Sequence, residues 1–329
     1  MTHRVLPFRR ATTRAGIVAS VGIVLALVSC AKGEVREGGD SAAAPDVATA
    51  TATLPTAPTT GLSTPESARY DADLDTWFVS NINGGPSAKD NNGFISRIDP
   101  ANAATATKWV EGGKNGVELH APKGMAIVGD TLWVTDIDAL RGFDKRTGAA
   151  VATIDFAPLK ATFLNDVAAS PAGTLYLTDT GIHFDEQGNM TQPSVGRIFS
   201  VKGRTAQKVM EDEHLAGPNG IAWDQANARF VIAPFSSSAL QSWREGDPKV
   251  QQINVGAGGF DGIEVLANGH YLVTSWADSS LSVGSDGTGL IRVASNLEAP
   301  ADIGVDTKRG WIAVPRFNAN RIDWVAVPK

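Results

Sequence analysis

Asn219-Gly220-Ile221-Ala222-Trp223-Asp224 and, after a short turn, Arg229-Phe230-Val231-Ile232-Ala233-Pro234 decide the fold. The first run is a polar residue, a small one, and an alternating apolar strand. The second is a strand rich in aromatic and β-branched side chains. The same pair recurs in both directions along the chain. First runs begin at Glu66, Lys123, Asn165, Asp261 and Ala301. The second runs read TWFVS (76–80), TLWVTD (131–136), TLYLTD (174–179), HYLVTS (270–275) and GWIAVP (310–315). Turn residues such as Val128-Gly129-Asp130, Pro171-Ala172-Gly173 and Ala267-Asn268-Gly269 separate the runs. The six starting positions run from 66 to 301 in five steps, a mean of 47 residues. That length holds four short strands and their turns, the content of one propeller blade. The expected fold is therefore all-β, a six-bladed β-propeller over 62–329. A β-sandwich would not explain recurrence at this period.

Composition agrees. Of 329 residues 43% are hydrophobic and 19% charged, so the chain can bury a core, and 34 Gly with 17 Pro supply many tight turns. Net charge is −6. The first 29 residues hold four Arg and no acid, which leaves 25 basic against 35 acidic side chains beyond them. An acidic body argues against a nucleic-acid partner, which needs a basic face. With Cys30 the only cysteine, no internal disulfide and no Cys-ligated metal is expected.

Upstream of the repeats the chain reads as an address. Arg4, Arg9, Arg10 and Arg14 precede the uncharged run Ala15 to Ser29. As a helix that run measures about 22 Å, short of a ~30 Å hydrocarbon core, which suits a signal peptide over 1–29 better than a membrane span. Leu27-Val28-Ser29-Cys30 resembles a bacterial lipobox, in which the cysteine thiol takes the lipid. Arg9-Arg10 offers a twin-arginine reading, but Ala11-Thr12-Thr13 lacks the apolar residues such signals carry. Residues 30–61, rich in Ala, Thr and Pro, read as a tether to the membrane, on the periplasmic or extracellular face of the envelope. Blade six has little chain left for a fourth strand, and Val47 to Leu54 (VATATATL) is expected to supply it, because an unpaired edge leaves backbone groups exposed.

First strands line a propeller's channel, so Glu66, Lys123, Asn165, Asn219, Asp261 and Ala301 are expected at one mouth. Carboxylates and amide carbonyls around an axis make an oxygen-only cage, which suits Ca²⁺ better than Zn²⁺. Two long loops, Asn81 to Asn92 and Thr180 to Val195, are expected to wall this pocket and bring Asn81 and His183 near the ion. Lys123 reads as a pocket charge or a partner of Glu118 or Asp166. Asp71-Ala72-Asp73-Leu74-Asp75 has the opening of an EF-hand without its Gly or its final Glu, and is a hairpin turn.

Leu62-Ser63-Thr64-Pro65-Glu66-Ser67, Leu164-Asn165-Asp166, Gly217-Pro218-Asn219-Gly220-Ile221-Ala222-Trp223-Asp224 and Phe260-Asp261-Gly262-Ile263 resemble the regucalcin/gluconolactonase family across 62–329. The resemblance implies a lactone or ester hydrolase with a divalent ion, often Ca²⁺. It implies Glu66, Asn219 and Asp261 as metal ligands, and Asn165, with the Asp166 that follows it, near ion and substrate. It also implies Asp261 as the carboxylate that takes a proton from attacking water. Phe163 stands where sugar-lactone members of that family carry Arg, which favours a more apolar lactone or ester. The alternative is a non-catalytic envelope propeller that binds a small ligand or a protein. A closed ring on a tether needs no partner for stability, so a monomer is expected.

Overall fold

The computed structural model describes residues 53–328. The signal segment, Cys30, most of the tether and residues 47–52 of the expected closing strand lie outside the described residues. What is described is six antiparallel blades. Blade one consists of Pro65–Asp71, Thr76–Asn81, Phe94–Ile98 and Thr107–Glu111. Blade two is Pro122–Val128, Thr131–Asp136, Ala139–Asp144 and Ala150–Asp155. Blade three is Leu164–Ala169, Leu175–Asp179, Arg197–Lys202 and Thr205–Glu211. Blade four is Pro218–Asp224, Arg229–Pro234, Ala239–Trp243 and Gln251–Val255. Blade five is Phe260–Val265, Tyr271–Ser275, Ser280–Gly284 and Leu290–Ala294. Blade six has three strands, Gly304–Asp306, Trp311–Arg316 and Arg321–Ala326. Three single-turn 3-10 helices are the only helical elements among the described residues.

The two strands that define each repeat pair as the sequence requires. The residue before the anchor faces the last residue of the second strand in every blade: Pro65 with Asn81, Pro122 with Asp136, Leu164 with Asp179, Pro218 with Pro234, Phe260 with Ser275, and Pro300 with Arg316. Apolar alternation then sends one face of each blade against the next. Phe78, Ile95 and Val110 of blade one, for example, pack on Met125, Leu132, Val134 and Phe143 of blade two. Such seams, repeated round the ring, are the core.

First strands approach one another more closely than side chains allow. A Cβ on Gly220 would lie 2.3 Å from the Asp261 carbonyl oxygen, and one on Gly262 would lie 2.5 Å from the Asp302 Cα. The glycine after the anchor is therefore a packing requirement of the ring. Hydroxyls complete the contact. Thr135, Thr178 and Thr274, on second strands, donate to the carbonyls of Asn165, Asn219 and Ala301 at 2.6, 2.6 and 3.1 Å. In these three blades the second strand thus holds the backbone of the next blade's anchor.

Of the expected closing strand only Thr53 and Leu54 are described; they form no strand, and Leu54 packs against the seam between blades one and six. Thr59 pairs with the outer strand of blade six. It exchanges backbone hydrogen bonds with Ile322 at 3.0 and 3.1 Å, and its hydroxyl accepts from Trp324 Nε1 at 3.1 Å. Thr60 in turn bridges to Thr105 of blade one. Aromatic rings brace the same seam: Trp77 lies 5.3 Å from Trp324, and Trp324 lies 5.9 Å from Trp311.

Candidate metal centre

The register places Glu66, Lys123, Asn165, Asn219, Asp261 and Ala301 at the starts of the six inner strands, all at the same end of the channel. All six are buried. Glu66 Oε2, Asn165 Oδ1, Asn219 Oδ1 and Asp261 Oδ1 are each buried without a hydrogen-bond partner. A buried polar atom left unpaired costs about 1–3 kcal/mol. Four such oxygens from four blades, at equivalent positions, are not explained by folding alone.

The other atoms of these groups are held in place. Asp261 Oδ2 accepts from Trp276 Nε1 at 2.8 Å. Asn165 Nδ2 donates to Thr180 Oγ1 at 3.0 Å, which donates in turn to the Pro218 carbonyl at 2.9 Å. Asp261 and Asn165 are thus each anchored by one atom and present another.

Electrostatics point the same way. Burial, then Asp302, raises the Asp261 carboxyl to about 8, against the opposing hydrogen bonds from Trp276 and Asn219. Burial, then Asp261 and Asp302, pushes Glu66 well above the carboxylate range. Two carboxylates that resist ionising beside one another lack a cation. Lys123 supplies part of it: its charge lowers Glu66, while burial brings the ammonium itself down to about 8. Its Nζ donates to the Ala121 carbonyl at 3.0 Å and lies 4.2 Å from the centre of the Phe163 ring. Glu118 is not its partner, being engaged by Arg141 and His120.

The donor set fits a hard divalent cation, with two carboxylate and two amide oxygens. Among the described residues no group of three or more His, Cys, Asp or Glu side chains is arranged to hold an ion.

Two residues assigned to substrate are structural instead. Asp166 accepts from the Val167 and Ile221 backbone N–H groups at 2.7 and 2.8 Å, so it clamps blade three to blade four. Asn81 is fully buried. Its Oδ1 accepts from Ser63 N–H, and its Nδ2 donates to the Val79 carbonyl and Ser96 Oγ. Both side chains are engaged in holding the fold. His183 is exposed, in a small hairpin pairing His183–Phe184 with Met190–Thr191. It lines a cavity of about 700 Å³ between the two long loops, which are joined where Phe184 N–H donates to Ser87 Oγ at 3.1 Å. The loop reaches the centre through rings: Phe184 lies 5.9 Å from Phe163, which carries Lys123.

Asp302 is a residue the repeat alignment passed over, because Ala301 occupied the anchor. It is buried, its Oδ2 accepts from Ser67 Oγ at 2.6 Å, and its Oδ1 has no partner. Its signal was legible: blade six places an acid one residue after the anchor, as Asn165-Asp166 does. The far end of the channel is different again. There Arg69 pairs with Glu264 beside a cavity of about 330 Å³ lined by Met125, Val167, Ile221 and Trp223.

Comparison with known proteins adds two findings. The family described as "SMP-30/Gluconolactonase/LRE-like region" matches residues 65–294. No curated protein matches the chain. Among solved structures, a chain of "Crystal structure of Nidogen/Laminin Complex" superposes with a TM-score of 0.52 at 14% identity, covering 67% of this chain and 75% of that one. At that identity the likeness is one of fold.

Proposed function

The chain belongs to the SMP-30/gluconolactonase/LRE-like family, and from its site we propose that it hydrolyses a lactone or ester with the help of a divalent cation, most readily Ca²⁺. One observation carries this reading: four buried, unpartnered oxygens, on Glu66, Asn165, Asn219 and Asp261, at one mouth of the channel. These residues would hold the ion. When bound, it supplies polarisation of the carbonyl and charge to offset the developing oxyanion, a contribution of several kcal/mol.

The chain's own groups do the rest. Asp261, with Oδ2 fixed by Trp276, is the carboxylate suited to take a proton from attacking water. Lys123 places a cation beside Glu66 and favours the ionised form of that carboxylate. Phe163 and the loop end at Phe184 narrow access to the mouth.

The run Leu27-Val28-Ser29-Cys30 supports a lipid on Cys30 and a place on the outer face of a bacterial membrane. The proposed partners are a small lactone or ester and, through that lipid, the membrane. The test is hydrolysis of a panel of lactones and aryl esters with Ca²⁺, Zn²⁺ or EDTA. Turnover that EDTA abolishes and Ca²⁺ restores supports the proposal. No turnover, with Ca²⁺ still stabilising the fold, replaces it with a binding propeller.

A further inference from the structure

The six-fold register puts one more set of residues in equivalent places. The residue that follows each second strand leaves the sheet beside the anchor's mouth. In chain order these are Ile82, Ile137, Thr180, Phe235, Trp276 and Phe317. Five of the six are large and apolar. Phe235 lies 5.7 Å from Trp276, Trp276 lies 5.5 Å from Phe317, and Phe317 packs on Ile82, Ala121 and Ile137. The arc runs without a break from blade four through five, six and one to blade two. Blade three breaks the pattern with Thr180, but there Phe163 and Phe184, 5.9 Å apart, stand beside the same mouth.

This collar adjoins the unpartnered oxygens. Trp276 belongs to both, its ring set edge-on between Phe235 and Phe317 and its Nε1–H on Asp261. Phe184, Phe235, Trp276 and Phe317 are only half-buried, so each still presents ring surface to solvent. A polyhydroxylated ligand needs a polar partner for every hydroxyl it buries, and each one missed weakens binding. The collar offers Thr180 alone, and that hydroxyl already accepts from Asn165 and donates to Pro218. An aromatic or alkyl group gains there instead, by covering apolar surface.

We propose that this collar is the subsite for an aromatic or alkyl arm, so that the substrates are apolar lactones or aryl and acyl esters rather than sugar lactones. The inference rests on the hydrolase reading above, since it sets the scissile carbonyl over the oxygens of Glu66, Asn219 and Asp261.

Two carboxylates that differ only in the arm test it: 4-phenylbutyrate and gluconate, titrated calorimetrically into the full chain with saturating Ca²⁺. Phenylbutyrate is expected to bind at least tenfold tighter. Phe235→Ala and Phe317→Ala should each weaken it about fivefold and leave gluconate unchanged. Phe235 lies outside the buried clusters, so that variant keeps its fold even where Phe317→Ala does not, and a thermal melt checks both. Equal affinities, or alanine variants without effect, overturn the inference while Ca²⁺-dependent stabilisation leaves the hydrolase reading standing. Absence of any Ca²⁺ effect on the melt overturns both.

Discussion

Trp276 donates its indole N–H to Asp261 Oδ2 at 2.8 Å, while Asp261 Oδ1, buried beside it, has no partner. Asp261 lies on the first strand of blade five and Trp276 directly follows its second, and their pairing divides the carboxylate into a held oxygen and a presented one. Trp276→Phe keeps the ring and removes the donor. A hydrogen bond to a charged group is worth about 1.5–3 kcal/mol, so Ca²⁺ affinity measured by calorimetry should fall about tenfold or more with the melt of the metal-free protein little changed.

Asp261→Asn keeps an oxygen for Trp276 and loses both charge and proton acceptor. Ca²⁺-dependent hydrolysis is expected to drop by about 10²-fold or more, with the fold intact by circular dichroism. Full activity in this variant would remove Asp261 from the proposed chemistry.

The carboxylates also set a pH dependence. Asp261 titrates near 8 in the folded chain, against an ordinary value of 3.8, chiefly because it is buried, and Glu66 is raised for the same reason. Between those values the folded state binds more protons than the unfolded one, so metal-free stability falls as pH rises from about 4 to 8. In EDTA the melting temperature should be higher at pH 5 than at pH 8. Ca²⁺ should narrow or reverse that difference and bind more tightly as pH rises, because it replaces the protons.

Gly220 lies where the inner strands of blades four and five nearly touch. A methyl group there would meet the Asp261 carbonyl oxygen at 2.3 Å, a backbone atom that cannot swing aside. Gly220→Ala should cost about 1–3 kcal/mol or more and weaken Ca²⁺ binding at the same time, since Asn219 and Asp261 flank the contact. A denaturant melt and a Ca²⁺ titration read the two effects separately.

Removing residues 53–61 takes Thr59 away from Ile322 and Trp324. The outer strand of blade six then loses the backbone pair at Ile322 on its outer edge, and Trp324 Nε1 its acceptor. The melting temperature should fall by several degrees, since about 1–3 kcal/mol attaches to each buried group left unpaired. An unchanged melt would show that the three-strand blade closes the ring without this segment.

Legibility varied with the range of the interaction. Strand boundaries in TLWVTD (131–136) or RFVIAP (229–234) were readable because alternation and turn residues act within a few positions. The anchors were readable because six copies set them in register. Residue type shows that an atom can bind, not whether it already has a partner in the fold. Asp166 is consumed by Ile221, 55 positions away, and Asn81 by Ser63 and Ser96. Asp302 was passed over because alignment places residues, whereas burial and unpaired atoms belong to neighbours.

By itself, then, the order of amino acids determined a six-fold β repeat, the inner-strand positions that face a common axis, and which of them carry oxygen. Folding alone decided which oxygens remain free, that Thr59 pairs with Ile322 of blade six, and that Phe235, Trp276 and Phe317 join into one apolar arc. The physical reason is that periodicity is a local property of the chain. Satisfaction of a hydrogen bond, and contact between rings, depend on residues brought together from different blades.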